Sequence, residues 1–201
     1  MIKSDAFYRC FEVGLIANVS PALLQRSRGK IPKYRIETSN DSLSLWFKVN
    51  GKASAIPYQP GEFWPVVESK AMRYSDRDDG LVSWYQYTDN AMEAAIIDQR
   101  RCVYRKTLEQ SHFEPEFWRQ ARDVWVNASR DSLDSEISPR FPHTRLYYLD
   151  EEDATQWGTI FGQQLNSWIQ RYVAAPETLE MYMWRVHWSK RTQASQETPS
   201  K

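Results

Sequence analysis

The hydrophobic and polar positions of this chain change period along its length, and each change marks an element. Leu43, Leu45, Phe47 and Val49 alternate with Ser44, Trp46 and Lys48, the two-residue period of a strand that turns one face to a core. Asn50-Gly51 follows, a pair that accepts positive φ and so predicts a tight hairpin, with Lys52 to Ile56 folding back beside the strand. A second pair, Val66 to Tyr74 and Leu81 to Thr88, flanks the acidic turn Ser75 to Gly80. From Lys33 to Thr88 the pattern is a meander of strands.

Helical periods occupy both sides of that meander. Ser4 is placed to cap a helix in which Phe7, Cys10, Phe11, Gly14 and Leu15 recur at three and four, and Ser20-Pro21 restarts a helical turn. Asn90 to Gln110 turns Ile96, Val103 and Tyr104 inward and Arg100, Arg101, Arg105 and Lys106 outward. Phe113 to Glu116 opens another helix with the stripe Phe117, Trp118, Ala121, Val124, Trp125 and Ala128. After a polar loop from Ser129 to His143 and a short strand from Arg145 to Leu149, Asp150 caps a helix with Glu151, Glu152 and Asp153 in its first turn, where the helix dipole favours negative charge. Its stripe is Ala154, Trp157, Phe161, Leu165, Trp168 and Tyr172, and Gly158 and Gly162 on that face predict a close approach to the sheet. Pro176 ends this helix, and Leu179 to Lys190 reads as a last strand. The elements add up to one α+β domain over 1–190, an antiparallel meander of about five strands plus a C-terminal strand under four to five helices. The polar stretch 191–201 reads as a disordered tail.

Composition narrows the function classes. With 201 residues the chain fits one domain, and 26 basic residues balance 26 acidic ones, so no global attraction to nucleic acid or anionic membranes is expected. The first residues are interrupted by Asp5, Arg9 and Glu12 and form no secretory signal, and no apolar run approaches the ~18 residues of a membrane span. Cys10 and Cys102 are the only cysteines, which suits a reduced, cytoplasmic protein without a disulfide framework. Nine tryptophans, eleven tyrosines and eight phenylalanines are a heavy aromatic load of rings that bury much area but keep a polar handle, many expected in the core and some in a binding face.

Two segments stand out for binding. Arg26, Arg28, Lys30, Lys33 and Arg35 form the densest positive segment, a candidate phosphate-contacting loop with Gly29 for backbone freedom and Tyr34 for stacking; the plain alternative is a solvated connection. Pro57 to Pro65 packs three prolines and Tyr58, Phe63 and Trp64 into one stretch, read as a stiff crossing loop or sheet edge whose rigid rings would lose little entropy on binding. Its alternative is a plug for the end of the core.

Signals for catalysis are sparse. Asp76, Asp78 and Asp79 lack the spacing of a calcium loop. His112, His143 and His187 stand at no metal-ligand spacing, and His187, between Val186 and Trp188, is the one histidine placed for a binding groove. No nucleophile elbow, P-loop or dinucleotide fingerprint occurs. Glu68-Ser69-Lys70 on a strand, with Asp41 upstream, resembles the Glu-x-Lys half of restriction-endonuclease-like metal nucleases. That resemblance implies magnesium between Asp41 and Glu68 and a water assisted by Lys70. The preferred expectation is a non-catalytic intracellular binding protein of the immunity or inhibitory-regulator kind, with another protein as partner and neither cofactor nor metal. The nuclease and a nucleic-acid-binding protein using Arg26 to Arg35 are the alternatives.

Overall fold

A computed structural model describes residues 2–20, 23–50, 60–71, 81–82, 84–111 and 146–175. Its elements in order are α1 (Ser4–Asn18), β1 (Gln25–Arg26), β2 (Lys33–Glu37), β3 (Ser42–Asn50), β4 (Gly61–Ser69), β5 (Leu81–Val82), a 3-10 turn (Trp84–Tyr87), α2 (Asn90–Ser111), β6 (Leu146–Tyr148) and α3 (Glu151–Ala174). Every strand pairing is antiparallel, in the order β1-β2-β3-β4. The far edge of β4 is shared by two short strands, β6 beside Gly61 to Phe63 and β5 beside Val67 and Glu68. The class is therefore α+β, with three α-helices among the described residues. The helix expected from Phe117 to Ala128, the strand from Leu179 to Lys190 and the acidic turn at Asp76 lie outside them.

The strand parity read from sequence holds in β3, where Leu43, Leu45 and Phe47 are buried. Its antiparallel partner is Gly61 to Ser69, with Val49 opposite Phe63 and Asn50 opposite Glu62. Lys52 to Ile56, expected in that role, lie outside the described residues.

The stretch taken for a crossing loop is instead, from Gly61 on, a central strand with Pro65 in its middle. The register explains how proline is tolerated. The Lys70 amide donates to the Ser42 carbonyl, and bonded pairs alternate along an antiparallel ladder, so Pro65 opposite Phe47 is a non-bonded pair toward β3. Its missing N–H would have pointed to the other edge, between the segments paired with β6 and β5. No ladder bond is lost there among the described residues. The expected strand from Leu81 to Thr88 likewise shortens to Leu81–Val82, because Trp84 and Tyr87 turn inward from one 3-10 turn to fill the core.

α1 and α3 lie side by side on the inner sheet face. Phe7 and Phe11 meet Phe63 and Phe47, with ring centroids 4.7 and 4.2 Å apart, and Phe7 also meets Tyr148 at 4.4 Å. Every member of the apolar stripe expected for α3 is buried. The helix begins with a reciprocal capping box: the Asp153 amide donates to Asp150 Oδ1 at 2.9 Å and the Asp150 amide to Asp153 Oδ2 at 3.4 Å. Ser4, by contrast, is the first helical residue of α1, and the cap position falls to Lys3, whose side chain makes no capping bond.

Glycines set the distance between the two helices. A Cβ on Gly158 would lie 2.0 Å from the Phe11 carbonyl oxygen, one on Gly14 2.1 Å from that of Thr155, and one on Gly162 2.7 Å from that of Leu15. Gly158 and Gly162 thus admit a helix backbone rather than the sheet expected from sequence.

α2 crosses the edge of the layer. Met92 and Ile96 join the main core, whereas Val103 packs on Tyr147, which β6 turns the other way. Arg100, expected outside, is 2% exposed. Lys106 also turns in, reaching Glu152 at 2.6 Å, Asp153 at 3.0 Å and Asp150 at 3.4 Å. Burial by itself would push its pKa down, but the hydrogen bonds to Glu152 and Asp153 and the charge of Asp150 outweigh that and raise it. A cation on the first turn of α3 is tolerated because three carboxylates gather there for the dipole.

Candidate functional site on the outer face of the sheet

Strand parity sends one set of side chains to the helices and the other to the opposite, outer face. On β2 the outer set is Lys33, Arg35 and Glu37, all exposed. On β3 it is Ser42, Ser44, Trp46 and Lys48, and on β4 it is Glu62, Trp64, Val66 and Glu68. Cross-strand pairing arranges them in rows: Arg35, Ser44 and Glu68; then Lys33, Trp46 and Val66; then Lys48 and Trp64.

Two rows carry the same device. Lys33 Nζ lies 4.3 Å from the ring centroid of Trp46, and Lys48 Nζ lies 5.5 Å from that of Trp64. Both distances are within the roughly 6 Å over which an ammonium is attracted to an aromatic face. Both tryptophans remain partly exposed. Beside them Arg35, Ser42, Ser44, Glu68 and Lys70 line an open polar groove of about 350 Å³. Within it Arg35 pairs with Glu37 and donates to Ser42 Oγ at 3.1 Å.

This geometry sorts the residues singled out in the sequence. Trp64 is on the outer face, but Phe63 is fully buried against Phe7, Phe11 and Trp157, so it is a core residue and no binding residue. Consecutive residues of a strand point to opposite faces, which separates this pair. Tyr34, expected as a stacking surface, is 2% exposed; its hydroxyl donates to Glu12 at 3.2 Å, and burial with that carboxylate raises its pKa. Arg26 pairs with the same Glu12 of α1, which leaves Arg28 and Lys30 exposed between β1 and β2, and Lys33 and Arg35 on the outer face. The positive segment is therefore divided between a helix contact, a turn and a sheet face. Gly29 has open surroundings, its imagined Cβ meeting only the Ile31 carbonyl oxygen at 3.6 Å. Tyr58 and His187 lie outside the described residues.

Asp41, Glu68 and Lys70 do not converge. The Asp41 carboxylate sits on the helix side, where Oδ1 accepts from the Ser42 and Ala71 amides at 2.7 and 2.8 Å and Oδ2 accepts from Ser69 Oγ and the Tyr172 hydroxyl at 2.5 and 2.6 Å. Glu68 and Lys70 line the groove on the outer face. Four donors fill the Asp41 oxygens, so its arrangement is that of a structural tie between the β2–β3 turn, the end of β4 and α3. Among the described residues no three His, Cys, Asp or Glu side chains gather to hold a metal. The apolar cavity between sheet and α3, lined by Ile36, Leu45, Trp84, Phe161, Leu165 and Trp168 among others, has about 20 Å³, room for no more than one water-sized group.

Sequence reasoning missed Trp46. The signal was present, since a large aromatic standing at the polar parity of an amphipathic strand is a ring left outside the core. Comparison with protein-family models, curated proteins and solved structures returns no match. No helix of the described residues is long and apolar enough to cross a membrane.

Proposed function

We propose that this chain is a binding protein whose outer sheet face engages another protein, with Trp46 and Trp64 as its anchors. The observation that carries this reading is the pair of partly exposed tryptophans on adjacent strands, each held under a lysine. Tryptophan contributes large contact area at low entropic cost and is enriched among residues that dominate interface energies. The surrounding Lys33, Arg35, Glu37, Ser44 and Lys48 supply a polar rim of both signs, which suits a protein surface better than a phosphate backbone.

The test is affinity capture with the full chain, identification of the retained protein, and titration of that purified partner by calorimetry. Trp46→Ala and Trp64→Ala should each weaken binding by about 2 kcal/mol, close to thirtyfold, with the near-UV circular dichroism of a folded protein retained. Unchanged affinity in both variants would remove the outer face from the interface.

A further inference from the structure

The charges of the outer face are unevenly engaged. Among its acids, Glu37 is paired with Arg35, and neither Glu62 nor Glu68 is free. Among its cations, Lys33 and Lys48 lie over the tryptophan rings, and none of Lys33, Lys48 and the exposed Lys70 forms a salt bridge with a carboxylate among the described residues. A lysine over an aromatic face keeps its full charge while the ring restrains it, so less side-chain freedom is lost when a carboxylate arrives. The rows of Lys48 and Lys33 are one two-residue step apart, about 6.8 Å along the strands, Lys70 stands opposite Ser42 two such steps further on, and the face from Ser42 to Lys48 extends over about 20 Å.

From this we infer that the face takes an acidic, extended segment of its partner, whose inward-facing alternate side chains place carboxylates against Lys48, Lys33 and Lys70 beside Trp46 and Trp64, while the intervening side chains point away from the face. An extended chain has the same two-residue repeat as the rows, so carboxylates at every second position meet successive rows. The inference rests on the binding role proposed above and adds the chemistry of the occupant.

The experiment uses the full chain and fluorescein-labelled peptides of about eight residues, the length that covers the face. One alternates Glu with Ser, one Gln with Ser and one Lys with Ser, and a thymidine octanucleotide serves as a fourth probe. Anisotropy titrations at low salt should show the Glu peptide binding at least tenfold more tightly than the Gln peptide and the Lys peptide binding least. Lys33→Glu with Lys48→Glu should erase the preference for Glu, and the milder Lys33→Gln with Lys48→Gln should reduce it. Equal binding of the Glu and Gln peptides overturns the acidic occupant but leaves a tryptophan-anchored face intact. Tighter binding of the oligonucleotide overturns it in favour of nucleic acid. If no probe binds, the acidic occupant also falls, and the partner titration decides separately whether the face binds at all.

Discussion

Gly158→Ala is a small change with a sign that the structure fixes. In an ordinary helix the change stabilises by about 1 kcal/mol, since alanine loses less backbone freedom. Here the new Cβ would lie 2.0 Å from the Phe11 carbonyl oxygen and 2.9 Å from the Leu15 amide nitrogen. Ordinary contact between nonbonded heavy atoms begins near 3.5 Å, so α1 and α3 would have to part by more than about 1 Å. The obstruction is backbone of a neighbouring helix, which cannot swing aside as a long side chain can. Overpacking of this kind costs about 1 to 3 kcal/mol and sometimes more. Separating the helices also loosens Phe7, Phe11 and Leu15, each no more than 2% exposed, from the ring cluster. We expect a net loss of about 2 kcal/mol, or roughly 4 to 8 °C in Tm for a chain of this length. Urea denaturation followed by tryptophan fluorescence measures it, with Gly29→Ala as the control in which the same substitution meets only the Ile31 oxygen at 3.6 Å. The control should stay within about 0.5 kcal/mol of the parent. A denaturation midpoint for Gly158→Ala at or above that of the parent, with an unchanged slope, would refute the close packing of the two helices.

Further outcomes follow from buried or hydrogen-bonded polar groups. Asp41→Ala deprives the Ser42 and Ala71 amides, Ser69 and Tyr172 of their shared acceptor and should cost about 2 to 4 kcal/mol by denaturation; Tyr172→Phe, which removes one donor, should cost about 1.5 to 3 kcal/mol. Burial raises the phenol of Tyr148 from 10.0 to about 12 and, with the Asp41 hydrogen bond, raises that of Tyr172. The unfolded chain therefore loses these protons first, and stability present below pH 10 should fall as pH rises through the folded values; a stability profile from pH 8 to 12 that is flat, or unaltered by Tyr172→Phe, would contradict this. Asp89 caps α2, accepting from the Met92 amide at 2.8 Å and from Ser167 Oγ at 2.6 Å, and the Ser167 bond first, then the amide, hold its pKa below 3.8. Its contribution is present at neutral pH and lost as pH falls through the depressed value, so Asp89→Ala should lower stability by about 1 kcal/mol at pH 7 and flatten the acid limb of the profile.

What could be read directly was local. The alternation of Leu43, Leu45 and Phe47 fixes which side of β3 is buried, and the stripe from Ala154 to Tyr172 with Asp150 before it fixes where α3 begins and which side it hides. Both follow from the geometry of a single strand or helix, whose period needs no knowledge of the rest of the chain. Trp46 belongs here as well, because the parity of its strand places it opposite the buried residues, whereas the outward side of Trp64 emerged only once the stretch read as a loop proved to be β4. The identity of each neighbour required the tertiary structure. Gly158 and Gly162 mark a close approach, but only the fold shows that the approaching backbone is α1 and that Gly14 completes the contact. Pro65 argues locally against a central strand and is tolerated because two separate short strands, one of them β6 from far along the chain, divide the edge it faces. Asp41 and Glu68 look like halves of one site in sequence and are sent to opposite faces by the register that sets Ser69 against Leu43. Local period is written in each element by its own covalent geometry, whereas pairing, burial of a charge such as Arg100 and the meeting of side chains depend on which distant element folds against it.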